Sequence, residues 1–143
     1  MPRASLQMRN FASRLIALEA KGKAASGAKV FLAFPVPEKL RPALSTLMGN
    51  AGFRTLLARA LTLATAEVPW LRVIKVNPAG SLEGWEELHA QFGPEKFLEG
   101  RVVLMAQLLG LLVAFIGEKL TVRLVMEVWP KLSLTDTNLN TGE

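Results

Sequence analysis

Sixteen consecutive residues, 102–117, carry no charge: Val-Val-Leu-Met-Ala-Gln-Leu-Leu-Gly-Leu-Leu-Val-Ala-Phe-Ile-Gly. No other feature restricts the fold as strongly. A helix that is apolar at every angle must be covered on every side, by protein or by lipid. A bilayer span needs about 18–20 such residues. This run is shorter, Gln107 interrupts it, and Glu118, Lys119 and Arg123 follow it. Snorkelling cations can lengthen such a run by a few residues, yet the pattern favours a buried helix. Its cover then comes from the rest of the chain, from a second copy, or from both. Ala106, Gly110 and Ala114 recur every fourth residue and share one face. Small residues in this pattern let another helix approach closely, which predicts a helix-packing or self-association contact there.

The remaining segments are mostly helical in period. Met8, Phe11, Leu15 and Leu18 make 4–20 an amphipathic helix, with Asn10, Arg14 and Lys21 opposite. The stretch 21–29 combines glycines with lysines and reads as a linker. A short apolar run, 30–34, fits helix or strand, and Pro35 and Pro37 punctuate after it. A helix over 38–48 turns Leu40, Leu44, Leu47 and Met48 inward, and 49–52 forms a turn. In a helix over 52–67, Phe53, Leu56, Leu57, Ala60, Leu61, Ala64 and Val68 follow the period, while Arg54, Ala58, Thr62 and Thr65 face away.

Pro69 ends that helix. The segment 70–76 suits either a short strand, from its β-branched content, or a helical turn opened by Pro69. After a turn at 77–80, Ser81 is the expected N-cap of a helix over 82–92. Glu83, Glu86 and Glu87 suit that helix's dipole, and Leu82, Trp85, Leu88 and Phe92 form its buried stripe. Gly93-Pro94 stops it. A straight helix over 95–129 would be roughly 50 Å long, so a bend is expected at Gly117. Trp129-Pro130 ends it. Trp70, Phe115 and Trp129 are expected as core anchors, and Lys119, Arg123 and Glu127 as a wet stripe.

The expected fold is an all-α, single-domain bundle of about five helices around an apolar C-terminal helix, with one short β element near 70–76. The expected organisation is a basic amphipathic helix and linker (1–29), a helical core (30–130) and a flexible polar tail (131–143). The net charge of +5 is concentrated in the first of these. Arg3, Arg9, Arg14, Lys21, Lys23 and Lys29 face one acid, Glu19, whereas basic and acidic residues balance in the rest. A basic arm suits a solvated helix back, an anionic membrane surface, nucleic-acid phosphate or a mitochondrial targeting peptide.

Few catalytic chemistries fit this composition. Without cysteine there is no disulfide, thiolate metal site or thiol nucleophile, and a reducing, cytoplasmic setting is expected. Glu86 and His89 have the Glu-x-x-His spacing of di-iron bundles, but His89 is the only histidine, so such a site would have to be shared across a dimer. The stretch 22–29 departs from a phosphate-binding loop, because no Ser or Thr follows the lysine and a helix precedes it. Neither a Gly-x-Ser-x-Gly elbow nor a dinucleotide fingerprint occurs. No cofactor is implied. The run 108–121 resembles segments of small bacterial helical proteins, and that resemblance implies no activity.

The sequence therefore predicts a non-enzymatic interaction or regulatory module that works by helix–helix association with a protein partner or with itself as a homodimer. Attachment to an anionic membrane surface or to nucleic acid through the basic arm is the alternative. A metal-dependent enzyme using Glu86 and His89 is a lesser one.

Overall fold

The computed structural model describes residues 6–23 and 35–129, with side chains for 7–17 and 39–129. The fold is all-α. Helix α1 (Leu6–Lys23) is followed by α2 (Pro35–Glu67), a 3₁₀ turn (Pro69–Val73), strands β1 (Lys75–Val76) and β2 (Leu82–Glu83), α3 (Trp85–Ile116) and α4 (Glu118–Val128). The two strands pair antiparallel, with Lys75 opposite Glu83 and Val76 opposite Leu82. Both readings of 70–76 are thus realised in sequence, a Pro69-led 3₁₀ turn and then a two-residue strand.

Among the described residues there are four helices where about five were expected. The turns foreseen near residues 49 and 93 exist, but each is a single non-helical residue at a kink, with helix resuming directly after it. Gly49 (φ 79°, ψ 163°) and Gly93 (φ 88°, ψ 172°) bend α2 and α3, and Gly117 (φ 88°, ψ 160°) separates α3 from α4. All three occupy a backbone region that is essentially restricted to glycine. The expected break at Gly117 is therefore present. Gly52, expected in the turn, instead lies within α2 against Met48.

The N-cap expected at Ser81 is displaced. Residues 82–83 pair as β2, so α3 starts at Trp85 with Gly84 (φ 107°) before it. Ser81 instead closes the hairpin loop: its amide donates to Asn77 Oδ1 at 3.0 Å. Two α2 arginines hold this loop. Arg41 donates to Ala79 O (3.1 Å), Gly80 O (2.8 Å) and Ser81 Oγ (3.2 Å), and its guanidinium lies 4.8 Å from the Phe53 ring centroid. Arg54 donates to Pro78 O at 3.0 Å.

One contiguous core runs through all four helices, from Phe11, Ala12, Leu15 and Ile16 of α1 to Val125 of α4 and Trp129 just after it. Helix α3 occupies its middle, and every residue from 103 to 109 is buried. The helical stripe of 52–67 is inward as expected, with Leu61 half-buried. Two expected core residues are not. Leu47 is 50% and Phe115 66% exposed. Leu47 lies on the final turn before the Gly49 corner, and Phe115 on the final turn before Gly117, where the neighbouring helices no longer surround the chain. In α4, Thr121, Leu124 and Val125 are buried, while Lys119, Arg123 and Glu127 form the expected exposed stripe.

Candidate functional site

The polar residue inside the apolar run has a defined role. Gln107 Nε2 donates to Glu67 Oε2 at 2.6 Å, and the Arg9 guanidinium pairs with Glu67 Oε1. The Glu67 side chain is only 3% exposed. One residue each from α1, α2 and α3 therefore meets at a single carboxylate. An acid at a helix C-terminus opposes the dipole, and the half-buried cation and the buried amide offset that cost. Arg9, expected as part of a basic attachment arm, is here a structural cation. Of the other arm residues, Arg14 is exposed. The side chains of Arg3, Lys21, Lys23 and Lys29 lie outside the described residues.

A second polar feature spans the Gly93 corner. Arg101 is 7% exposed, with its guanidinium 4.2 Å from the Phe97 ring centroid and 5.6 Å from that of Trp85. Phe97 meets Trp85 (6.0 Å) and His89 (5.0 Å) edge-on. Burial pushes the Arg101 guanidinium down to about 10, which leaves it a cation at neutral pH. The aromatic faces supply part of the stabilisation that water would otherwise give. His89 is half-buried against Phe97. Glu86 is exposed. Among the described residues, no group of three or more His, Asp or Glu side chains is placed to hold a metal ion.

The third feature is a surface. The small-residue stripe begins inside the core and ends outside it: Ala106 is buried, Gly110 half-buried and Ala114 exposed. A side chain at Gly110 would meet nothing within 4 Å, so no helix of the same chain packs there among the described residues. Phe115 stands next to Ala114, and Leu111 is half-buried. The outer half of α3 thus presents Gly110, Leu111, Ala114 and Phe115 without a charge among them. α3 is long and apolar enough to cross a membrane, but 56% of its most apolar window is buried, as in the core helix of a bundle.

Compared with protein families, with characterised proteins and with solved structures, the chain matches none.

The Glu67 node and the Arg41 clamp escape sequence reasoning because their partners lie 38 to 58 residues away in the chain. One signal does point to the node. Glu67 is the lone acid between residues 39 and 76, and Gln107 is the lone polar side chain in the apolar run. Isolated polar residues on buried helices tend to find one another.

Proposed function

We propose that the chain is a non-enzymatic interaction module that pairs with a second copy of itself through the outer half of α3. The observation that carries this reading is Phe115, a large aromatic residue with 66% of its surface in water, beside Ala114 and Gly110. An uncharged helical strip with small residues suits a two-fold contact, in which the same patch serves both partners. Aromatic residues at the centre of such patches commonly dominate the binding energy. Without a described catalytic constellation beside this strip, binding is its most direct chemistry.

Light scattering across a concentration series tests the pairing. The wild type is expected to dimerise, and Phe115→Lys to be monomeric with an unchanged helical spectrum. A wild-type monomer at all concentrations would defeat the reading.

Gly110→Ala makes a second, opposite-signed test. In the monomer the new methyl meets open space, and helix propensity alone should raise stability by up to about 1 kcal/mol. In a close helix pair the methyl separates the backbones and weakens the dimer. A variant with both a higher melting temperature and an undiminished dimer would place the contact elsewhere.

Attachment through the basic arm remains the competing reading, now without Arg9. Its discriminator is binding to anionic vesicles or DNA that falls as salt rises.

A further inference from the structure

A shallow cleft of about 380 Å³ lies between the outer face of α2 and the segment that follows it. Leu61, Thr62, Thr65, Ala66, Arg72 and Ile74 line it. Most of the lining is apolar. The two threonines spend their hydroxyl protons on their own helix: Thr62 Oγ1 donates to Ala58 O at 3.1 Å and Thr65 Oγ1 to Leu61 O at 2.7 Å.

Arg72 is the single charged residue of the lining. It is exposed, and its Nη1 donates to Pro69 O at 3.3 Å, which leaves further guanidinium N–H groups for a ligand. Arg59, also exposed, stands one turn before Thr62 on the same flank of α2. Between residues 51 and 74 the one acid is Glu67, and its carboxylate is turned into the core. Glu83, on the neighbouring hairpin, lies opposite Lys75 and accepts a hydrogen bond from Asn77 at 2.8 Å. The cleft therefore combines apolar walls with a guanidinium, and no carboxylate lines it.

From this combination we infer that the cleft binds a single-chain amphiphile with an anionic head, a carboxylate or a phosphate. The alkyl chain lies along Leu61, Ala66 and Ile74, and the head meets Arg72. A guanidinium suits such heads because its planar fork donates two parallel hydrogen bonds to them. A sugar-like ligand would call for more donors than the lining offers. A nucleotide base would call for an aromatic platform, and the lining has none.

Amide chemical-shift mapping of the intact chain tests this with three probes: dodecyl phosphate below its micellar concentration, dodecyl maltoside and inorganic phosphate. Dodecyl phosphate is expected to move the amides of 61–66 and 71–74 in a saturable way. Arg72→Glu is expected to weaken that binding by about tenfold while leaving the amide spectrum of α3 unchanged, which shows that the variant is folded. Equal binding of the maltoside would remove the recognition of charge. The same shifts from inorganic phosphate alone would remove the role of the chain. No shift at any concentration below the micellar point, shifts confined to other surfaces, or binding only to anionic vesicles would each overturn the assignment.

Discussion

Glu67→Ala is expected to lower the unfolding free energy by about 3 kcal/mol in urea denaturation. Truncating one member of a buried ion pair typically costs about 3–5 kcal/mol, because it leaves the opposite charge uncompensated. Here the two partners differ. Arg9, with 27% of its side chain exposed, can turn partly to water and recover some hydration. Gln107, also buried, loses the charged acceptor on its Nε2, a hydrogen bond of about 1.5–3 kcal/mol that is counted within that range and not on top of it. The expected loss therefore sits at the low end of the range for a broken pair.

Glu67→Gln keeps an acceptor for Gln107 and removes only the charge. It should cost less, about 1–2 kcal/mol. The contrast between the two variants separates hydrogen bonding from ion pairing. If Glu67→Ala moved the denaturation midpoint by no more than an ordinary surface substitution, the three-helix junction would contribute little to stability.

Gly84→Ala is expected to cost about 3 kcal/mol, for two reasons that add. Its φ of 107° is one that side-chain-bearing residues rarely adopt, which by itself costs about 1–3 kcal/mol. The added Cβ would also stand 2.6 Å from Val73 O and 3.3 Å from Val73 C. Both are backbone atoms, so relief requires the end of the 3₁₀ turn to move, and β1 with it. Gly93→Ala carries strain without a clash, at a ψ of 172° where Gly84 has 3°. Its φ is 88°, but nothing lies within 4 Å of the added Cβ, so only the conformational cost applies. Thermal unfolding of both variants tests the partition. A Gly84→Ala loss no larger than a conformational cost of about 1 kcal/mol would mean that the close approach to Val73 contributes nothing measurable.

The contrast between these glycines bears on how much of the fold could be read in advance. Residues that face the core at helical spacing were legible, because burial of a stripe is a local, periodic signal. Phe53, Leu56, Leu57, Ala60 and Ala64 are all buried. The bends at Gly93 and Gly117 were legible because glycine next to proline, or glycine in an overlong helix, is a local signal too. The hairpin was not. Two-residue strands are too short to show alternation, and it is Arg41 that holds their loop, from some 40 residues upstream.

The candidate surface was half legible. A helix that is apolar at every angle does not reveal which side its neighbours leave bare. Ala106, Gly110 and Ala114 marked a face, and the fold then divided it, taking Ala106 inside and leaving Ala114 out. Phe115 looked like an anchor by composition and became the most exposed large apolar side chain described. Conversely, Gln107 looked like an obstacle to burial and is instead the residue that ties the central helix to α2.

The glycine corners have a consequence for how this chain can vary. At Gly49, Gly93 and Gly117 one helix ends and the next begins with no loop between them, so the architecture has joints but no slack. Adding one residue within a helix between two joints would rotate everything beyond it by about 100° about the helix axis and carry the apolar stripe off the core. Side-chain identity on the outer faces can drift while the spacing between joints cannot, so chain length acts here as a structural parameter in its own right.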